Sequence, residues 1–421
     1  MSKNQNLRRK VAMFTIHSDP LAHLGSQEAG GQNIYIRNVA EKLGKLGWEI
    51  DIFTRWDDPK KKQIVQLTKK VRVIRLKGGK TSYIPRSQLI SVLPEVYNSF
   101  RIFINFKNPY NLFHGHYWDG GLLATKAHSQ FKKPLVENFH SLGIIKSQTK
   151  KKYLKNKNDY EYFVERLNIE AKIIKNSSII ISLAESEKQE LNRFYGCPLE
   201  KVAVVPGGVD LEKWQPLDKA KSRETLKIAK DDFVLLYVGR LEWRKGIGTL
   251  ISAANLLKKI VSNLKIIIVG GKIFGRQKNL EDFKEYKRLD EKAEKEKVKD
   301  MVKFAGRIPN TRLPVFYSAA DALVIPSYYE PFGLVALEGM ASKIPVIASR
   351  VGGLANTIKD NETGLLFEPR NLVSLKEKVL MLYQNKEFAN KLVQNANEDI
   401  KKYSWETIAK KISDIYNSLY R

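Results

Sequence analysis

At 421 residues the chain is longer than one hydrophobic core usually serves and fits two domains of roughly 200 residues each. Its single cysteine, Cys197, excludes an internal disulfide framework and a cysteine-based zinc site, and it fits a reducing, cytoplasmic compartment. The formal net charge of +28 fits a polyanionic partner, an anionic membrane surface or an acidic small substrate; the lysines are nevertheless scattered along the chain among Glu and Asn, a pattern that genome composition alone can leave.

Val11–Ile16 is apolar but for Thr15, which predicts a central parallel strand; it is too short for the core of a signal peptide, and no run reaches the ~20 apolar residues of a membrane span. The loop after it carries Gly25 and then Glu28-Ala29-Gly30-Gly31-Gln32-Asn33, where a helix opens that ends at Gly47. Ile50–Thr54 is a second strand. Val71–Leu76 alternates apolar and basic residues and reads as an edge strand. Asn111–Tyr117 predicts a strand whose His114 and His116 are read as facing opposite sides, which excludes them as joint metal ligands. Helix Gly121–Phe131, strand Pro134–Phe139, helix Tyr160–Ile174, strand Ser178–Leu183, helix Glu185–Phe194 and strand Val202–Val205 follow. This alternation predicts βαβ units and a doubly wound parallel sheet.

The glycine pair and prolines of Pro206-Gly207-Gly208-Val209-Asp210 to Pro216 mark a boundary, after which the pattern restarts. Strands are expected at Val234–Val238, Leu264–Val269, Val302–Ala305, Ala322–Ile325, Pro345–Ser349 and Gly364–Phe367. Helices are expected at Gly248–Ile260, Leu280–Lys297, Leu313–Ala320, Gly333–Ala341 and along a tail from Leu375 to Tyr420. The predicted domains are 1–206, 207–400 and a terminal helical segment, 401–421.

The chemistry-bearing groups fall after strands: Gly30-Gly31, His116-Tyr117, His140-Ser141, Gly239-Arg240, Gly306-Arg307 and Glu330–Gly333. In open α/β folds these positions line the ligand crevice. Gly31 opens a helix, so its backbone can approach a phosphate, although the dinucleotide fingerprint GxGxxG is absent. Arg240, Arg244 and Lys245 sit in one loop, where a guanidinium fork and an ammonium can neutralise a leaving diphosphate without a metal. Tyr329-Glu330-Pro331-Phe332-Gly333-Leu334 turns into a helix carrying Glu338, so amide N–H groups and two carboxylates meet a strand end. No HExxH, CxxC, GxSxG or P-loop is present.

Gly30-Gly31-Gln32, Gly239-Arg240 with Lys245, and the Glu330/Glu338 pair around Pro-Phe-Gly resemble the retaining, two-domain nucleotide-sugar glycosyltransferases. Within them the likeness is to the branch of sucrose-phosphate synthases and inositol-phosphate N-acetylglucosaminyltransferases, and it runs from about Val11 to about Gly364. The resemblance implies the GT-B fold, two facing Rossmann-like domains with a cleft between them, and a last helix, Tyr403–Tyr420, crossing back to the first domain. It implies that Gly31 binds the donor diphosphate, that Arg240 and Lys245 stabilise it as it leaves, and that Glu330, with the N–H groups of Phe332, Gly333 and Leu334, binds the donor sugar. Glu338 would take the ribose hydroxyls and His140 would stand near the reacting carbon. It implies front-side, configuration-retaining transfer with no metal and no cofactor, the nucleotide sugar being a co-substrate. Gln32, Arg86, Tyr117, Ser141 and Arg166 match acceptor positions for a sugar phosphate. Expected substrates are UDP-glucose and fructose 6-phosphate, with an inositol phosphate as the alternative acceptor. A second alternative is a membrane-peripheral enzyme acting on lipid or polysaccharide, suggested by the basic run Lys146 to Lys157. A specific nucleic-acid partner is not expected, because the basic residues form no aromatic-interleaved motif.

Overall fold

In a computed structural model of the chain, residues 9–22, 30–150, 157–271 and 280–420 are described. Gly25, Glu28-Ala29 and residues 151–156 of the Lys146–Lys157 run lie outside them. The chain forms two compact units, one running to Pro206 and resuming at Trp405, the other spanning Gly207–Ser404.

The first unit is built on one mixed sheet. Its elements are β1 (Lys10–Phe14), α1 (Gly31–Lys45), β2 (Glu49–Arg55), β3 (Ile64–Thr68), β4 (Val71–Leu76), α2 (Leu93–Phe103), β5 (Leu112–His116), α3 (Tyr117–Phe131), β6 (Leu135–Asn138), α4 (Gly143–Lys150), α5 (Lys157–Asn176), β7 (Ile179–Ser182), α6 (Glu185–Tyr195) and β8 (Val202–Val204). The strand order is β3-β4-β2-β1-β5-β6-β7-β8, parallel except for β3 against β4. β1 is central because Val11, Ala12, Met13 and Phe14 are all fully buried, and a strand covered on both faces must be apolar throughout. The chain winds outward from β1 toward β4 and then, from β5, toward β8, so β1 and β5 form the switch point.

The reading of Val71–Leu76 as an edge is corrected. β3 covers that side, and the two arginines of β4 are paired with aspartates. Arg72 donates Nε and Nη2 to the two Asp51 oxygens at 2.7 Å each, and Arg75 Nε lies 2.9 Å from Asp19 Oδ2. Alternating charge resembled solvent exposure because the partner aspartates lie far away in sequence.

The second unit holds α7 (Lys219–Leu226), β9 (Phe233–Val238), α8 (Ile247–Leu257), β10 (Leu264–Val269), α9 (Leu280–Lys295), β11 (Val302–Gly306), α10 (Leu313–Ala319), β12 (Ala322–Ile325), α11 (Leu334–Ala341), β13 (Val346–Ser349), α12 (Gly352–Thr357), β14 (Leu365–Phe367), α13 (Leu372–Gln384) and α14 (Lys386–Asp399). Its sheet is parallel throughout, ordered β11-β10-β9-β12-β13-β14, and switches direction between β9 and β12.

The helical tail divides into three: α13 and α14 meet at Asn385, whose side chain caps α14, and a third helix, α15 (Trp405–Ser418), belongs to the first unit. Trp405, Ile408, Ile412 and Tyr416 recur at helical spacing on its buried face. Trp48 Nε1 donates to Ser413 Oγ at 2.9 Å, Lys42 pairs with Glu406, and the Tyr416 hydroxyl meets His114 Nδ1 at 2.6 Å. No helix among the described residues is long and apolar enough to cross a membrane.

Candidate active site

In the second unit the site residues gather at the carboxyl ends of β9 and β12, the switch point of that sheet. The loop after β9 is folded on itself by Glu242, which pairs with Arg240 at 2.7 Å and with Arg244 at 2.6 Å. It ends at Gly246, where φ is +66° and an added Cβ would lie 1.8 Å from the Pro326 carbonyl oxygen. Only glycine allows the two loops to meet so closely. They are stitched together by Tyr328 N–H donating to the Arg244 carbonyl at 2.7 Å and by Arg244 Nη1 donating to the Tyr329 carbonyl at 3.3 Å.

That contact brings Lys245 Nζ to 2.5 Å from Glu330 Oε2, which also accepts from Ser327 Oγ at 3.3 Å. Burial alone would raise the Glu330 carboxyl; the charges of Lys245 and Arg244 overcome it and hold the group below its usual range. Lys245 is shifted down by burial, against the pull of Glu330.

The turn that follows is held from beneath by the α12 glycines. Gly353 N–H donates to the Glu330 carbonyl at 3.0 Å, and a Cβ at Gly352 would stand 2.4 Å from that same oxygen. Gly333 caps α11 with φ +83°, and the N–H groups of Phe332, Gly333 and Leu334 have no backbone acceptor among the described residues. Three donors at a helix start, beside a carboxylate already paired with a lysine, suit an anion-bearing, hydroxyl-rich ligand. Glu338, inside α11, accepts from the Tyr317 hydroxyl at 2.7 Å, and burial raises its carboxyl to about 7.

In the first unit, α1 begins beside the β1 loop because Asn33 clasps it. Its Oδ1 accepts from Gly30 N–H at 2.9 Å and from Ser18 Oγ at 2.8 Å, and its Nδ2 donates to the Asp19 carbonyl at 2.6 Å. Gly31 is exposed at this N-terminus, and no acidic residue occupies the first turn. Gln32 Nε2 reaches Thr15 Oγ1 at 3.3 Å.

The acceptor candidates converge on Tyr117, which opens α3 with φ +66°. Its hydroxyl takes Arg166 Nη1 at 2.7 Å and Arg86 Nη1 at 3.4 Å. Ser141 joins through its carbonyl, which accepts from Arg166 Nη2 at 2.5 Å. Arg166 is fully buried, and its Nε donates to Glu170 Oε1 at 2.7 Å. It therefore braces Tyr117 and the Ser141 turn from inside, while Arg86 is only half-buried.

The separation of His114 and His116 is corrected. Residues two apart in a strand share a face; their ring centroids are 4.1 Å apart, and His116 Nδ1 lies 3.0 Å from Nε2 of His140, which follows β6 with φ +57°. Burial drives His114 down to about 3 and holds His116 and His140 well below the usual histidine range. No metal-holding group of His, Cys, Asp and Glu occurs among the described residues.

Several residues around the site were not singled out from the sequence. The Gly352-Gly353 pair after β13 was legible as another glycine turn at a strand end. Tyr317, Ser327 and Glu242 carried no signal, since each matters only through a partner. The same is true of Arg370, which stacks over Tyr328 at 4.6 Å and Trp243 at 5.2 Å.

The model for glycosyl transferases group 1 matches residues 218–399, and that for glycosyltransferase family 4 matches residues 29–213. The D-inositol 3-phosphate glycosyltransferase of Corynebacterium glutamicum (strain R) is 31% identical over 414 residues, covering 97% of this chain and 96% of that protein. A second D-inositol 3-phosphate glycosyltransferase, from Catenulispora acidiphila, is 31% identical over 419 residues, with 98% and 96% covered. Among solved structures, sucrose-phosphate synthase from Thermosynechococcus elongatus superposes with a TM-score of 0.88 at 34% identity, covering 98% of this chain and 99% of that one.

Proposed function

Because this chain belongs to the group 1 glycosyltransferases, with the two parallel-sheet α/β domains of the GT-B class, we propose that it moves a hexosyl group from UDP-glucose to a phosphate-bearing sugar, with retention of configuration. The observation that carries the donor side is the Lys245–Glu330 pair at 2.5 Å, set beside the three amide donors at the start of α11. In this reading Glu330 and those amides hold the sugar hydroxyls, Lys245 and Arg240 stabilise the departing diphosphate, and Glu338 accepts the ribose hydroxyls. Gly31 at the start of α1 gives an N–H to a diphosphate oxygen, and His140 contacts the sugar near its reacting carbon. The leaving phosphate takes the acceptor proton, so the reading calls for no cofactor and no metal; Lys245 and Arg240 supply the charge a metal would otherwise bring.

For the acceptor, Arg86 with the Tyr117 hydroxyl forms the phosphate-facing pair, joined by Gln32 in the first turn of α1 and Ser141 in the loop after β6. Fructose 6-phosphate is the acceptor proposed first, supported by the 34% identity to a sucrose-phosphate synthase. An inositol phosphate is the second reading, supported by the relatives at 31% identity. Both carry a phosphate monoester on a polyol, which Arg86 and Tyr117 suit equally. Purified enzyme given UDP-glucose or UDP-N-acetylglucosamine is expected to release UDP only when a sugar phosphate is added. Fructose 6-phosphate against inositol phosphate separates the two acceptors, and equal release with phosphate-free acceptors would refute the phosphate requirement.

A further inference from the structure

Among the buried polar atoms of the first unit that lack hydrogen-bond partners, three lie together: Tyr35 Oη, His114 Nε2 and His116 Nε2. Two of them belong to imidazoles whose other nitrogen is engaged. His114 Nδ1 is bound to the Tyr416 hydroxyl at 2.6 Å, and His116 Nδ1 to His140 Nε2 at 3.0 Å. His116 cannot turn away from this contact. It is fully buried, packed against His114 at 4.1 Å and stacked on His140 at 5.2 Å with a 28° tilt, while Tyr35 closes edge-on against both His116 and His140.

Two neutral imidazoles joined nitrogen to nitrogen share one proton between them, so the contact fixes the tautomer of both rings. If His140 Nε2 carried the proton, His116 would accept on Nδ1 and hold its own proton on Nε2. That would leave a buried N–H donor unpaired. If His116 Nδ1 carries it, Nε2 of His116 is a bare lone pair. An unpaired buried N–H is the rarer and costlier defect. The second arrangement puts the proton of His140 on Nδ1, the ring nitrogen with no hydrogen-bond partner among the described residues.

We infer that His116 is a positioning residue: it donates through Nδ1 to His140 Nε2 and so makes His140 a fixed Nδ1–H donor toward the transferred sugar. This rests on the reading of His140 as a donor-sugar contact. It deepens that reading by stating which proton His140 offers and what holds it there. Burial keeps all three histidines neutral, which is the condition for one fixed tautomer on each ring.

The test uses the full chain with ¹⁵N-labelled histidine rings, of which the sequence holds six. The His140 signals are assigned by their loss in His140→Gln. Wild-type His140 is expected to show a protonated Nδ1 and a bare Nε2; the opposite pattern, or averaging of the two, overturns the inference. In His116→Leu the two His140 tautomers should mix, and kcat should fall about tenfold, the scale of one hydrogen bond, with donor KM little changed. In His116→Asn the amide nitrogen can stand where Nδ1 stood, so the Nδ1–H form of His140 and most of kcat should return. An unchanged His140 spectrum in the leucine variant, or an asparagine variant as impaired as the leucine one, overturns it. Should the leucine variant not fold, the wild-type and asparagine spectra decide alone. Because the spectra are read without substrate, they stand even if UDP release shows the glycosyl-transfer assignment to be wrong.

Discussion

Removing Lys245 while keeping Glu330 exposes what the pair does. The two side chains are 15% and 12% exposed, with Nζ 2.5 Å from Oε2. In Lys245→Ala a mostly buried carboxylate loses its nearest cation. Breaking a fully buried pair this way costs about 3–5 kcal/mol, and the residual solvent contact here reduces the expected loss to about 2 kcal/mol. For a unit of roughly 200 residues that lowers Tm by about 4–8 °C. The loss should depend on pH with a defined sign. In the wild type Glu330 lies below its usual pKa, so its contribution is present above the unfolded value of 4.5 and fades as pH falls through the folded value. Without Lys245 only Arg244 and the Ser327 hydroxyl oppose burial, so the folded pKa rises and the stability that the ionised carboxylate brought above 4.5 is diminished. The deficit of Lys245→Ala should therefore be larger at pH 8 than at pH 5. Glu330→Gln in the same chain removes the stranded charge and should recover most of the stability. Activity should behave otherwise: loss of one charge-stabilising donor lowers kcat about 10²–10³-fold, and the double variant should remain as slow. Thermal unfolding between pH 5 and 8, paired with acceptor-dependent UDP release, measures both. A stability deficit independent of pH, kcat within tenfold of wild type, or activity restored in the double variant would refute the reasoning.

Three further outcomes follow from the same geometry. Burial raises the Glu338 carboxyl to about 7, so below neutral pH it carries a proton and loses an acceptor for the ribose hydroxyls it is proposed to hold; UDP binding should weaken as pH falls from 8 to 6, and Glu338→Gln should flatten that dependence in calorimetric titration. Gly333→Ala places a Cβ 2.5 Å from Leu354 Cδ2 in a left-handed backbone, and should lose about 1–2 kcal/mol in denaturant unfolding together with UDP affinity. Arg166→Ala strands Glu170 and should destabilise by about 3–5 kcal/mol, whereas Arg86→Ala should change stability by no more than about 0.5 kcal/mol yet raise KM for the sugar phosphate; equal stability effects in the two would contradict the bracing role of Arg166.

The fold was legible wherever burial is written into composition. β12 is an unbroken apolar run, β1 is one after Lys10, and α1 has its apolar positions at helical spacing before Gly47. The strands missed or misplaced were those whose character depends on a neighbour. β3 has no fully buried residue, and β4 looked like an edge because Asp51 and Asp19, which neutralise its arginines, come from other elements. The tail was legible as helical, but the break at Asn385, where a side-chain cap starts a new helix, was not.

Of the candidate site, the sequence by itself determined the inventory: carboxylates, cations and glycine turns at strand ends, where a parallel sheet must place its loops. Tertiary structure decided who touches whom. Lys245 and Glu330 are 85 residues apart and meet because Gly246 lets the β9 loop close onto Pro326. Arg166 became a buried brace rather than a surface cation because Glu170, Tyr117 and the Ser141 carbonyl take its donors. His116 reached His140 because β5 lies beside β6 in the sheet, with His116 opposite Asn138, two residues before His140. A residue type is a local property of the chain, but its charge state, its exposure and its partner depend on groups that only folding brings within a few ångströms.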